Sequence, residues 1–339
     1  MPFKRYAIQM KLSEIGKAGQ EKLSLAKVAM IGVGGLGAPL ALNLAAAGIG
    51  HLVLVDGDQV SLENLHRQVL FTEEDIGKAK VVAAKTHLSK RNSEIKISAY
   101  AEFLSFQNIS QLLSEVDLIL DCTDNFHARF LINQYCVEQK KVFVYASVDQ
   151  WRGQVALFTP KGPCLACLFS HVKDGLFQDC SQSGVLGVTA SVVSNLQGQV
   201  ALHWLLFQKD FSALFLYDAK KLQILSYKIQ KQKYCEVCGE GVKERSDEVI
   251  FKSWNEVSRL MQDAPDQNIL IDLRDAPTDA LKGALHIPMV KILNGATAFD
   301  KNKTYILYCE KRIKSPFVRE VLRKQGVAHV YVLQERVDQ

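Results

Sequence analysis

The stretch Met30–Phe71, MIGVGGLGAPLALNLAAAGIGHLVLVDGDQVSLENLHRQVLF, limits what this chain can fold into more than any other. Val28–Ile31 reads as a short buried strand, and Gly32, Gly34 and Gly37 complete a G-x-G-x-x-G. Leu36–Ala47 is an apolar helical run, and His51–Val55 reads as a second strand. Glycines let the backbone turn sharply and approach a phosphate, which then meets the N-terminus of the following helix. Asp56 closes the second strand, where a carboxylate can accept hydrogen bonds from ribose hydroxyls. Up to this residue a nicotinamide-dependent enzyme fits as well as an ATP-dependent one.

The residues after Asp56 separate the two. Asn64-Leu-His-Arg67-Gln68 and then Gly77-Lys78-Ala-Lys80 set cationic and amide groups just beyond the ribose-binding strand end. Hydride transfer has little use for them there. Phosphoryl chemistry does, because Arg67 and Lys80 would neutralise triphosphate oxygens as charge builds at the α-phosphorus. The competing reading makes Arg67 and Lys80 solvated surface charges.

The 339 residues suffice for two domains, and 48% hydrophobic with 23% charged residues argues against disorder. The net charge of +5 is spread along the chain, without the basic stripe of a nucleic-acid binder. The opening MPFKRYAIQM lacks the apolar core of a signal peptide, so the cytoplasm is expected. Two uncharged runs invite a membrane reading. Val28–Val55 is broken by six glycines and Pro39, and Cys180–Gln208 is interspersed with Ser, Thr, Asn and Gln, so no membrane span is expected. The latter, SGVLGVTASVVSNLQGQVALHWLLF, reads as a helix buried between layers or subunits. Eight cysteines without an export signal point to metal or thiol chemistry rather than to disulfides.

Strand-like segments at Val28–Val33, His51–Val55, Ile95–Tyr100, Asp117–Cys122 and Val142–Ala146 alternate with helical ones at Leu36–Ala47, Ala79–Lys90, Asn108–Leu113 and Phe126–Gln139. That alternation predicts an α/β fold with a doubly wound, Rossmann-like, mostly parallel sheet. Further strands at Gln154–Thr159, Leu214–Tyr217 and Leu222–Ile229 flank the long helix and extend the sheet in mixed fashion. The polar stretch after Cys238 reads as a linker, and a second alternating pattern starts at Val249. The domains expected are residues 1–240, a linker at 241–248, and 249–339.

Three groups carry candidate chemistry. Asp117–Asn125 is a strand ending in Asp121 and Asp124, at the sheet edge where such folds bind ligands. Asp124 is the candidate Mg²⁺ ligand, since Mg²⁺ takes one or two carboxylates beside phosphate oxygens; alternatively Thr123-Asp-Asn125 merely caps the next helix. Cys164-x-x-Cys167 and Cys235-x-x-Cys238 supply four thiolates, the composition of a closed structural Zn²⁺ site, with a redox dithiol as the rival reading. Cys180 lies in the polar stretch Asp179-Cys-Ser-Gln-Ser-Gly184, as a covalent cysteine would or as an inert thiol would. Cys122 and Cys136 read as packing residues.

With GVGGLG, VDGDQVSLENLHRQ, GKAK, DCTDN, both C-x-x-C pairs and CSQSGVLG in this order, residues 1–240 resemble the molybdopterin-synthase and thiamine-pathway adenylyltransferases, relatives of ubiquitin-activating enzymes. The resemblance implies a homodimer that binds a ubiquitin-like sulfur carrier ending in Gly-Gly, adenylates its terminal carboxylate with Mg·ATP and releases pyrophosphate. It implies that Gly35, Asp56, Asn64, Arg67, Lys80, Asp124 and Asn125 hold nucleotide, that Arg67, Lys80 and Asp124 serve catalysis, and that Cys164, Cys167, Cys235 and Cys238 hold zinc. Cys180 matches the loop cysteine that some members use covalently. Similar proteins read Arg-Tyr-x-Arg-Gln near the N-terminus, where the second arginine reaches the partner subunit's nucleotide; this chain has Ile8 at that place, with Lys4, Arg5 or Lys11 as candidate substitutes.

Residues 249–339 resemble a rhodanese-like sulfurtransferase domain through ILIDLRDAP, LKGALHIP and ILYCEKRIKSPFVREVLRKQGVAHVYVL. Cys309 opens its loop, Ser315 and Pro316 read as N-cap and first helical residue, and Lys311, Arg312 and Lys314 ring the thiol. Such fields favour a thiolate and hold an anionic persulfide. The expected function is carrier adenylation followed by sulfur transfer from Cys309, fed by a persulfide or thiosulfate donor. A non-catalytic carrier-binding scaffold and an NAD-dependent oxidoreductase are the alternatives.

Overall fold

The computed structural model describes residues 3–169, 184–235, 237–240, 251–274, 281, 283–293, 297–309 and 314–333. The chain divides into two compact units, one built on an eight-stranded sheet and the other on a five-stranded sheet.

The first unit opens with α1 (Gly16–Leu25), a helix the apolar periodicity did not suggest, because only Gly19, Gln20 and Leu23 of it are buried. β1 (Lys27–Ile31), α2 (Gly37–Ala47), β2 (His51–Val55), α3 (Lys80–Arg91), β3 (Lys96–Tyr100), α4 (Ile109–Leu113), β4 (Leu118–Asp121), α5 (Phe126–Glu138) and β5 (Phe143–Asp149) follow as the expected alternation. β1 to β5 are parallel, in the order β3-β2-β1-β4-β5. β6 (Arg152–Phe158) turns back antiparallel on β5 across Gln150 and Trp151. After α6 (Leu165–Phe169) and α7 (Gly187–Phe207), β7 (Ala213–Asp218) and β8 (Gln223–Lys228) complete the antiparallel extension.

Pleating sorts β1 between two cores. Val28 and Met30 join Leu40, Leu44, Leu52 and Leu54 under α2 and α7, while Ala29 and Ile31 join Val53, Ile119, Ile132 and Phe143 beneath α4 and α5. Each fully buried leucine contributes roughly 1.5–3 kcal/mol of transfer free energy. α7 bears no charged residue and lies on the sheet. Its Gln197 is fully buried, donates from Nε2 to the carbonyls of Asp121 and Val144 at 2.9 Å each, and accepts from the Cys122 thiol at 3.3 Å. No helix among the described residues is long and apolar enough to cross a membrane.

The second unit holds β9 (Phe251–Lys252), α8 (Trp254–Asp263), β10 (Asn268–Asp272), β11 (Ala284–His286), α9 (Met289–Leu293), β12 (Thr304–Tyr308), α10 (Lys314–Lys324) and β13 (Val330–Leu333). Its sheet runs β11-β10-β12-β13-β9, all parallel, with apolar clusters on both faces. Ser253 and Glu256 close a reciprocal capping box at the start of α8.

Two expectations are corrected. β1 ends at Ile31, where the reading Val28–Ile31 puts it and the longer bound at Val33 does not, because Gly32 takes a positive φ of 90° that no extended strand holds. α10 begins at Lys314, so Ser315 and Pro316 stand within its first turn and are not its cap and first residue; proline is tolerated there because first-turn amides have no intrahelical acceptor.

Candidate functional site

β1 lies between β2 and β4, so the loops leaving these three strands converge on one rim of the sheet. The Gly32 amide donates to the Val55 carbonyl at 2.9 Å, and a Cβ on Gly32 would stand 2.7 Å from the Cys122 carbonyl oxygen. A Cβ on Gly37 would stand 2.1 Å from the Gly32 carbonyl oxygen. The loop thus closes on itself over the end of β4 only because both residues lack side chains. It then enters α2, where the Ala38 amide donates back to the Gly34 carbonyl at 2.9 Å and the Leu40 amide to the Leu36 carbonyl at 3.4 Å, so the positive end of the helix dipole stands at the rim.

Asp56 directly follows β2 and is 8% exposed. Its Oδ2 accepts from the Val33 amide at 2.7 Å and its Oδ1 from the Asp58 amide at 2.8 Å. The expected ribose acceptor is therefore also the brace of the glycine loop, with a further lone pair on each oxygen. Burial pushes its pKa up, and Lys80 opposes that push.

Lys80 opens α3. Its Nζ donates to Asp58 Oδ2 at 3.2 Å and its amide to the Asp58 carbonyl at 2.9 Å. At 5% exposure it is no solvated surface charge. Arg67 is half-buried; its Nη2 donates to Asn64 Oδ1 at 2.5 Å and its Nη1 to the Glu63 carbonyl at 3.3 Å. Asn64 is held in turn by the Ser61 hydroxyl. A Cβ on Gly35 would stand 3.3 Å from Arg67 Cδ, so the arginine stem lies over the glycine loop.

The end of β4 supplies two carboxylates of opposite character. Asp121 is fully buried; its Oδ1 accepts from the Thr123 amide at 3.0 Å and hydroxyl at 2.7 Å, and Arg129 Nε stands 4.0 Å from its Oδ2. Burial lifts its pKa to about 6 against the pull of Arg129. Asp124 is exposed, as a carboxylate shared with water and phosphate must be. Asn125 is the N-cap of α5, its Oδ1 accepting from the Ala128 amide at 2.9 Å, so the helix-cap role in this turn falls to Asn125 and leaves Asp124 facing outward.

Cys164, Cys167, Cys235 and Cys238 bring their sulfurs within 4.8 Å of one another. The Cys164–Cys167, Cys164–Cys235 and Cys167–Cys238 separations are 4.0, 3.7 and 3.5 Å. A tetrahedron of thiolates with metal–sulfur bonds of about 2.3 Å has edges of about 3.8 Å, so the four residues fit such an ion. Without a cation burial holds Cys238 up at about 12, and its bond to Cys167 pushes Cys164 higher still. The Gln232 amide donates to Cys167 Sγ at 3.5 Å. Cys122 and Cys136 are buried with raised pKa values, as packing residues are.

In the second unit Cys309 follows β12, 5% exposed, with its sulfur 2.8 Å from Ser315 Oγ and receiving the Ser315 amide at 3.3 Å. The thiol thus meets the first turn of α10, where amides and dipole favour negative charge. Arg274, which the pattern of residues did not single out, holds Asp272 through Nε at 3.0 Å and Nη2 at 2.7 Å, stands over the Tyr308 ring at 5.4 Å, and its carbonyl lies 2.7 Å from His286 Nε2. Its place two residues past the end of a buried strand was the available signal. Cys180, Lys311 and Arg312 lie outside the described residues, as does the Lys314 side chain. Ile8 is 75% exposed, while the neighbouring Gln9 is fastened to Gln20 and to the Ala47 carbonyl, and Arg5 donates to the Arg91 carbonyl.

Residues 6–237 match the ThiF family, and residues 253–336 match the rhodanese-like domain. A sulfur carrier protein adenylyltransferase of Thermus thermophilus is 38% identical over 71% of this chain and 92% of its own length. The adenylyltransferase and sulfurtransferase MOCS3 of Danio rerio is 33% identical over 97% of this chain and 76% of its own. Among solved structures, E. coli MccB with ATP superposes with a TM-score of 0.61 at 27% identity, covering 70% of this chain and 74% of that one. The glycine loop, the Asp56, Arg67 and Lys80 rim and three of the four thiols stand within one matched region, with Cys238 directly after it, and the chain belongs to the ThiF family, with a rhodanese-like domain following.

Proposed function

We propose that the first unit adenylates the C-terminal Gly-Gly carboxylate of a ubiquitin-like sulfur carrier and that the rhodanese-like unit supplies sulfur from Cys309 to make the thiocarboxylate. The observation that carries the reading is the convergence of the glycine loop, Asp56, Arg67, Lys80 and Asp124 on the carboxyl ends of three adjacent strands. ATP would place its ribose at Asp56 and its phosphates between the glycine loop, Arg67 and Lys80, with Gly35 and Asn64 shaping that cradle. A carrier carboxylate oxygen attacks the α-phosphorus, the bond to the β-phosphate's bridging oxygen breaks, and pyrophosphate leaves. That step needs alignment and charge neutralisation more than an enzyme nucleophile. Arg67 and Lys80 supply the charge, and Asp124, assisted by Asn125, would hold Mg²⁺, which neutralises phosphate oxygens when bound. Zn²⁺ at the four thiols would staple the fold and take no part in chemistry.

The terminal sulfur of a Cys309 persulfide, charged by a persulfide or thiosulfate donor, would attack the acyl carbonyl and expel AMP, and attack by a thiol, with Cys180 as the loop candidate, on the acyl disulfide would release the thiocarboxylate and leave that thiol and Cys309 as a disulfide. We take residues 1–240 and 249–339 as the two domains, joined by 241–248, in a cytoplasmic homodimer. The exposed Ile8 leaves adenylation short of one cation, so we expect a retained but slowed reaction. The test is ATP–pyrophosphate exchange with a carrier ending in Gly-Gly, alongside mass spectrometry of the adenylated carrier. Asp124→Ala abolishes exchange on this reading. Exchange at the parent rate in that variant, or tight nicotinamide binding in place of ATP, refutes it.

A further inference from the structure

The segment between Arg67 and Lys80 is organised around one carboxylate that the adenylation reading leaves without a role. Asp75 is 4% exposed and takes four donors. Its Oδ2 accepts from the Thr72 amide and hydroxyl, both at 3.1 Å, and from His87 Nε2 at 2.6 Å; its Oδ1 accepts from Lys78 Nζ at 3.1 Å. Burial raises its pKa most, yet the bonds from His87, Thr72 and Lys78 outweigh that and hold the carboxyl well below the usual range.

The grip has two ends. Thr72 and Asp75 form a reciprocal capping box around the turn Glu73–Asp75. Directly after it the Gly77 amide donates to the Val60 carbonyl, the Val60 amide to the Lys78 carbonyl, and the Lys80 amide to the Asp58 carbonyl, each at 2.9 Å. This short ladder, with Gln59 opposite Ala79, delivers Lys80 to Asp58 and so to Asp56 at the rim. The other end is His87, on α3 seven residues beyond Lys80, or about 10 Å along the helix axis. One carboxylate therefore fastens both the entry to α3 and its body. Neither the turn nor the helix can shift without the other, and Lys80 stands at their junction.

We propose that Asp75 is a positioning residue for Lys80, setting its ammonium group against the triphosphate in adenylation. The inference rests on the adenylation reading and deepens it. A misplacement of about 1 Å in a charge that acts in the transition state costs on the order of 10²-fold in rate.

A double-mutant cycle tests it, with ATP–pyrophosphate exchange measured at saturating Mg·ATP and a small ubiquitin-like carrier ending in Gly-Gly. Asp75→Asn keeps the volume and should lower kcat by about 10- to 100-fold. In a Lys80→Ala background the same change should cost less than about twofold, because the group it positions is gone. Thr72→Val removes one of the four donors to the carboxylate together with the hydroxyl's own acceptance from the Asp75 amide, serves if Asp75→Asn folds poorly, and should slow exchange several-fold with the same silence behind Lys80→Ala. Losses that multiply in the double variants, or a parent rate in Asp75→Asn, overturn the role. A parent chain that exchanges nothing overturns the adenylation reading and this inference together, so the two failures are distinguishable.

Discussion

Cys235→Ser breaks one corner of the four-thiol cluster, and its effect follows from where the two pairs stand. Cys167 and Cys235 are separated by about 70 residues that include α7, β7 and β8, so an ion held by both pairs closes a loop of that size. A cross-link over such a loop removes about 15 cal/mol/K of chain entropy from the unfolded state, which is about 4 kcal/mol at 25 °C. In a unit of this size each kcal/mol moves the melting midpoint by roughly 2–4 °C, so the variant should melt roughly 10 °C below the parent. The assay is calorimetry of parent and variant together with metal analysis, with one zinc expected per parent chain. On the proposal that the ion at these thiols only staples the fold, exchange at 25 °C should stay within a few-fold of the parent. A variant that has lost its metal yet melts within about 2 °C of the parent would refute the staple, and so would a parent carrying iron in place of zinc.

Three further outcomes follow from the site. Ile8→Arg should raise exchange by roughly 10²–10³-fold if the missing cation limits the transition state, and an unchanged rate would show that another group supplies it. Cys309→Ala should leave exchange untouched and stop thiocarboxylate formation, while Ser315→Ala should slow sulfur transfer by roughly tenfold through loss of the 2.8 Å contact to the thiol; thiocarboxylate formed at the parent rate with thiosulfate as sole donor to Cys309→Ala would end the fused-donor reading. Asp121 is lifted by burial to about 6, so the native chain binds more protons than the unfolded chain between pH ~4 and ~6. Stability should therefore fall by up to about 3 kcal/mol from this group as pH rises through that window and level off above it. Asp121→Asn should flatten that slope in denaturant titrations, whatever its overall stability.

Much of the site was legible because its demands are local. A closed phosphate loop needs glycine where a Cβ would strike the backbone, so Gly32 and Gly37 are readable from spacing. Paired cysteines two residues apart chelate whatever the fold, so Cys164, Cys167, Cys235 and Cys238 could be grouped in advance. Other features were not legible. α1 was missed because most of its residues stay in water and leave no apolar stripe. Asp75 went unnoticed although its Thr72-x-x-Asp75 spacing is a capping signal, because nothing local shows that His87 closes on it from another turn of chain. Asp56 was read only as a ribose acceptor, since its bond to the Val33 amide crosses between strands.

By itself the amino-acid order determined the alternation of strand and helix, the place of the phosphate loop, the two thiol pairs and the presence of a second, rhodanese-like pattern, because each is written in short-range period, glycine placement or ligand spacing. Only tertiary structure decided that Lys80 is buried on Asp58, that Asn125 caps while Asp124 faces outward, that burial lifts the Asp121 carboxyl, and that Cys309 meets Ser315. The reason is that burial and charge depend on what other segments bring to a residue, and strands far apart in the chain become neighbours only when the sheet assembles.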